Sequence, residues 1–249
     1  MGVTLDWDWA QRTGGNLSPQ ESRHLVGVIL RDVPKGLAGV IRYRLGRRGS
    51  GRTDLIEVPV PDSKLARRVE EFVQASLSPY VLAHSYRTYF LGKALAAAEG
   101  SPVDDELSYL TALMHDVNLE HPTHGRCFAV TGGERAQKLL IEWGADPAIA
   151  DVVAGATCGH ATPGADHDLA DPAGFVLAGS MADCVGRRLD EIDPAWLAEL
   201  LQRYPRHRLK QRLVPTLRAE AKAVPRGRIH LANRWALFPL LIRAAPYRE

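Results

Sequence analysis

The chain has 249 residues, 45% of them hydrophobic and 24% charged, the balance of an ordinary folded protein rather than a disordered or fibrous one. Its net charge of +2 offers no broad basic field for nucleic acid, and no apolar run approaches the length of a membrane span. Three separated cysteines, Cys127, Cys158 and Cys184, without a CxxC pair, give neither a zinc ribbon nor a disulfide framework and fit a reducing, cytoplasmic compartment.

In chain order, residues 1–17 carry Trp7 and Trp9 among polar residues and are expected to form a docked arm. They contain no signal-peptide core, and Asp6 stands where N-myristoylation wants Ser or Thr. Ser18-Pro19-Gln20-Glu21 is a capping box with proline at the first helical position. A short helix is expected after it, with Leu25, Val26, Ile29 and Leu30 on one face. Residues 34–53 are rich in Gly and Arg (Arg42, Arg44, Arg47, Arg48, Arg52) but carry no Walker pattern, so a solvated, mobile basic loop is expected. Leu55–Val60 is read as extended, and its prolines confine it to an edge or a linker.

From Ser63 onward the pattern is helix after helix. One is marked by Leu65, Val69, Phe72, Val73 and Leu77, and the next runs from Ser78-Pro79 to Gly100. Leu107–Asn118 follows, then Glu134–Trp143, stopped by Gly144. Asp146-Pro147 opens a helix to about Cys158, Asp171-Pro172 one through Leu189, and Asp193-Pro194 one to Tyr204. Arg206–Val224 and a last segment around Leu231–Ile242, bent at Pro239, complete the set. There is no fixed-period repeat and no βαβ alternation, so an all-α fold is expected: an N-terminal extension over residues 1–57 and a helical domain over 58–249.

Leu107–Asn118 holds the most pointed feature, His115-Asp116 at the end of an apolar helix. A buried carboxylate beside an imidazole needs a cation, and a divalent metal would provide one; the plain alternative is a helix-end Asp beside a solvent-facing His. His84 lies among Val81, Leu82, Tyr86, Tyr89 and Phe90, where it is either a core histidine on a backbone carbonyl or a ligand. Asp183 shares a small, apolar helix face with Val176, Gly179 and Gly186, so that face should pack closely against another element. An acid there meets a metal or an arginine such as Arg187.

The order His84, His115-Asp116, Asp183 resembles the H…HD…D signature of the HD superfamily of metal-dependent hydrolases. Longer stretches, SKLARRVEEF, SPYVLAHSYRTYFLG, LMHDVNL, FAVTGGERAQKLLIEWG, MADCVGRR and YPRHRLKQRL, resemble its cyanamide hydratase-like branch over roughly residues 58–230. The resemblance implies an HD-domain helical bundle with His84, His115, Asp116 and Asp183 as ligands of one divalent metal ion. Zinc is expected, with iron, manganese or nickel compatible with the same donors. Dinuclear relatives place an extra histidine where this chain has Phe128, which favours a single ion. His121 and His124 are read as loop histidines.

His160, in ATCGHATPG at a helix end, is expected either to face substrate or to sit at a helix C-terminus as a dipole-stabilised cation. Arg87, one turn after His84, either holds an anionic group or locks a ligand carboxylate. Together these residues predict a hydrolase or hydratase in which metal-bound hydroxide attacks a small molecule, and the branch resemblance implies a nitrile-type compound such as cyanamide. His160 would orient substrate or shuttle a proton, and Asp183 could accept one. The alternatives are a phosphohydrolase, for which Arg87 and Arg126 are a thin set of cations, a di-iron oxygenase, and a non-catalytic metal-binding protein. A small-molecule substrate is the expected partner, with self-association open and neither nucleic acid nor membrane expected.

Overall fold

The computed structural model describes residues 4–53 and 60–249. Among these residues it is all α, with the helices α1 (Trp7–Thr13), α2 (Pro19–Arg44), α3 (Lys64–Ser76), α4 (Pro79–Glu99), α5 (Asp105–Met114) and α6 (Phe128–Glu142). These are followed by α7 (Pro147–Gly159), α8 (Pro172–Val185), α9 (Pro194–Arg203), α10 (Leu209–Ala223), α11 (Arg228–Trp235) and α12 (Phe238–Ala244). The expected extended stretch Leu55–Val60 lies, Val60 apart, outside the described residues.

The helix starts follow from local chemistry. Asp146, Asp171 and Asp193 each precede a proline, and each side chain accepts a backbone N–H of the first turn. Ser18 and Glu21 form the reciprocal capping box. Gly100 and Gly186 end α4 and α8 in the left-handed conformation. Gly186 therefore stops α8 before the expected Leu189.

Helix α4 is buried on almost every side and forms the axis of the molecule. It lies against α8 with the two backbones nearly touching. A Cβ at Gly179 would sit 2.0 Å from the Thr88 carbonyl oxygen, and one at Gly92 would sit 2.6 Å from the Phe175 ring. The small face read from the sequence is thus the α4 contact, and it sets Asp183 beside His84. One apolar core surrounds α4 with α3, α5, α8 and α9; a second joins α1, the start of α2, α6 and α10–α12.

Several elements depart from expectation. The N-terminal arm docks as expected, but as a helix: Trp9 and Ala10 are buried, and Arg228 lies over the Trp9 ring at 5.5 Å. The short helix after Ser18 runs on through Pro34 to Arg44, so residues 34–44 are helical rather than a loop. They are held by contacts that single-sequence charge counting does not foresee. Gly39 lets α2 approach Asp190, and Arg42 Nε donates to the buried Asp190 carboxylate at 2.7 Å. Helix α6 begins at Phe128, and the C-terminal segment breaks into two helices at Leu237, whose φ is +51°, with Pro239 in the first turn of α12.

Candidate metal centre

Helix α5 ends at Met114, so His115 and Asp116 stand at its close rather than inside a helix reaching Asn118. Beyond it the chain tightens: the N–H groups of Val117 and Leu119 bond the carbonyls of Met114 and Asp116, three residues back. His84, from the middle of α4, and His160, just after α7, reach the same place. All four side chains are buried.

The imidazole protons can be assigned from their partners. His115 Nδ1 faces the Ala112 carbonyl at 2.7 Å, and His160 Nδ1 faces the Thr157 carbonyl at 2.5 Å. A carbonyl only accepts, so in each ring Nδ1 carries the proton and Nε2 is a bare lone pair. His84 Nδ1 lies 2.7 Å from Asp183 Oδ2, which fixes the same tautomer. The three Nε2 atoms then surround Asp116. Those of His115 and His84 are 3.2 and 3.7 Å from Oδ2, and that of His160 is 3.7 Å from Oδ1. His84, His115 and Asp116 each offer a ligand atom within 4.8 Å of the others.

A cup lined by lone pairs and a carboxylate, with its ring N–H groups turned outward, is electron-rich and buried. His115 Nε2 has no hydrogen-bond partner among the described residues. Such a set calls for a cation, and neutral imidazole with carboxylate is the donor set of borderline divalent metals. The residues therefore fit a metal ion. Burial alone would raise the Asp116 carboxyl, but positive charge on the facing imidazoles, His115 first and then His84 and His160, when they take up a second proton, holds it below the usual carboxylate range. Burial also lowers His84, against the pull of Asp183, and brings His160 down to about 3. In His115 burial is outweighed by Asp116 and the pKa rises.

Asp183 stands behind His84 rather than in the cup. Its Oδ1 accepts Arg87 Nε at 2.8 Å and Arg206 Nη1 at 2.6 Å; its Oδ2 accepts Arg87 Nη2 at 2.8 Å and His84 Nδ1. Four donors occupy roughly the four lone-pair sites of a carboxylate. The two guanidinium groups keep its pKa well below the ordinary value despite complete burial. Arg87, fully buried, directs its remaining bonds to the Tyr204 and Pro205 carbonyls, so of its two expected roles it is seen locking a carboxylate. Arg187, expected as a partner for Asp183, pairs instead with Asp166 at 2.9 Å.

Residues 81–193 match the HD domain. The match supports the resemblance to the HD superfamily of metal-dependent hydrolases, and the matched segment contains His84, His115, Asp116, His160 and Asp183. No curated protein matches the chain.

Around the HD-domain cup, His121 and His124 are exposed on the loop after α5. Phe128 turns its ring edge toward His160 at a centroid distance of 5.9 Å. Sequence reasoning missed four further residues. Ser180 Oγ lies 3.3 Å and Cys184 Sγ 3.9 Å from His84 Nε2, one turn before and one residue after Asp183. The YPR stretch supplies Arg206, which Tyr247 covers with its ring at 4.1 Å. Arg228 is fully buried and bonds the Cys158 carbonyl at 2.9 Å and Thr162 Oγ1 at 2.7 Å, which ties down the loop that presents His160. The helical spacing from Asp183 was a usable signal for Ser180; none existed for Arg228.

A cavity of about 250 Å³ opens from the cup and reaches the surface. His84, Asp116, His160 and Ser180 line its closed end. Its outer part runs between α2, α8 and α10–α12 and emerges beside Leu37, Ile41 and Ala244, all exposed. No helix among the described residues is long and apolar enough to cross a membrane.

Proposed function

We propose that the chain is a mononuclear metal-dependent hydrolase or hydratase that adds water to a small, uncharged substrate. One observation carries this reading: two imidazole lone pairs, of His84 and His115, and the Asp116 carboxylate lie within 4.8 Å of one another with the ring N–H groups turned away, and a third imidazole, His160, faces the other oxygen of the same carboxylate. His84 and His115 through Nε2, with Asp116, would hold a divalent ion, zinc in our reading, with iron, manganese or nickel suited to the same donors. Such an ion, when bound, lowers the pKa of water from about 15.7 toward 7 and so supplies hydroxide at neutral pH.

The chain's own groups do the rest. Asp183 keeps the proton on His84 Nδ1 and aims the ring, the arrangement in which a carboxylate acts through a ligating histidine. Its four contacts favour this role over the direct ligation that the sequence resemblance implies. His160 Nε2, a bare acceptor beside Asp116, takes up a proton or a substrate N–H at the edge of the cup. Ser180 Oγ offers a hydroxyl at 3.3 Å from the same His84 nitrogen that faces the cup.

The charge of the site favours a neutral substrate. Phosphoryl transfer draws on cations around the transferred group. Here Arg87 and Arg206 are engaged by Asp183, Arg187 by Asp166 and Arg126 by Glu134. A nitrile-type head, as in the cyanamide hydratase-like branch, needs no such cations. Phe128 at the slot for an extra histidine weighs against a di-iron oxygenase.

Metal analysis before and after His115→Ala tests the centre. About one equivalent per chain is expected in the wild type and its loss in the variant; a wild-type chain that takes up no divalent metal, or two equivalents, overturns the reading. Amide formation from nitriles and cyanamide, without phosphate release from nucleotides, is expected of the metal-loaded protein. Phosphate release in its place would support a phosphohydrolase.

A further inference from the structure

The cavity carries information beyond the reaction class. Its polar groups are segregated. His84, Asp116, His160 and Ser180 sit at the closed end, while Asp32, facing Lys35, Arg44, exposed, and Arg187, paired with Asp166, sit on the α2 side. Between these ends the wall is apolar, with Val33, Leu177, Met181, Leu213, Leu217 and Phe238 supplied by four different helices. A pathway for a small, water-like substrate has no need of such a wall, and a nucleotide would meet hydrocarbon where its phosphates and sugar require donors. The volume of about 250 Å³ is near the lower limit of ligand pockets, roughly 300–1,000 Å³, so the occupant is one chain or ring.

We propose that the cavity binds the apolar body of an amphiphilic substrate: a single aliphatic chain or ring between α2, α8 and α10–α12, carrying a small uncharged head that reaches the cup. The position of the head rests on the metal reading above; the apolar body does not, because it is argued from the wall alone. Helices α2 and α10–α12 lie outside the matched HD domain, so the body of the substrate is selected by parts of the chain that the domain does not include.

Straight-chain alkyl hydroxamates of two to eight carbons, titrated calorimetrically into metal-loaded protein, test this. Their head chelates a metal ion and their tail enters the cavity. Burying a methylene is worth about 0.8 kcal/mol, so Kd should fall about fourfold per added carbon until the cavity is full. A second arm uses primary alcohols of the same lengths on metal-free protein. A graded tightening with the alcohols but no binding of hydroxamates would retain the apolar body and reject the metal-centred head. A flat series in both arms, or absence of binding in both, overturns the proposal. Ala236→Phe and, independently, Ala232→Phe narrow the wall. In either variant that keeps its metal content and thermal transition, the two-carbon hydroxamate should bind as in the wild type and the gain from longer chains should disappear. Full retention of the chain-length gain in both folded variants counts against the proposal.

Discussion

The cup and the cavity wall are built on opposite principles. In the cup, a few polar side chains are each held by a partner that leaves them one orientation: Asp183 behind His84, the Ala112 carbonyl behind His115, and the Thr157 carbonyl behind His160. In the wall, ordinary apolar residues from helices distant in sequence converge, and each is replaceable by another of similar size. The cup lies within the matched HD domain, whereas much of the wall comes from α2 and α10–α12 outside it. The contrast teaches that chemistry here is specified by identity and substrate fit by shape, so the two regions should respond differently to the same kind of change.

The sharpest break is expected at Asp183. Asp183→Asn removes the charge shared by two buried guanidinium groups, and leaving such charges uncompensated costs about 3–5 kcal/mol. The same variant should weaken metal affinity about 10–100-fold by freeing the His84 ring. Denaturant unfolding and metal titration read the two effects separately, and unchanged metal affinity in a folded variant would disprove the orienting role.

Next in size is a paired test with glycine. Gly179→Ala, where the new Cβ meets the Thr88 carbonyl at 2.0 Å, should destabilise by at least about 1–3 kcal/mol and displace His84 from Asp183. Gly36→Ala on the α2 wall meets its nearest atom, Arg187 Cδ, at 3.6 Å, an ordinary contact. There the gain in helix propensity should prevail, by up to about 1 kcal/mol. Equal effects on thermal unfolding would erase the distinction between the two regions.

The smallest effect concerns pH. Glu220 is buried on α10 and accepts the Phe128 N–H at 2.9 Å, and burial raises its pKa. A carboxyl whose folded pKa lies above its unfolded one favours folding below the unfolded value and loses that contribution as pH rises through the folded value. Glu220→Gln keeps an acceptor without a charge, so it should raise the unfolding temperature slightly at pH 8 and leave it nearly unchanged at pH 4. The opposite order would mean that Arg228 outweighs burial at this site.

These differences also mark what the sequence disclosed. The helix starts were legible because Ser-Pro and Asp-Pro pairs act locally, and the α4–α8 contact was legible because Gly179 shares a face with Asp183. The cup residues stood out because histidine and aspartate in apolar helices require a reason. For Asp183 a metal and an arginine such as Arg187 stood as alternatives, and Arg87 was read as able to lock a carboxylate; the molecule uses Arg87 and Arg206, since a buried carboxylate can be met from any neighbouring helix and sequence distance gives no ranking. Helix α2 was read as ending near Pro34, because the contact that sustains its second half, to Asp190, comes from a residue some 150 positions later. The wall was invisible for the same reason: Val33, Leu177 and Leu217 carry no mark that they face one another.

Pro34, between Val33 and Gly36, interrupts α2 along the side of the cavity. Having no N–H, it leaves the carbonyl of Leu30 without the bond that a regular helix would supply. The ladder of α2 is therefore one rung short at that point, and the half beyond it keeps its place through tertiary anchors, the Arg42–Asp190 ion pair at 2.7 Å above all.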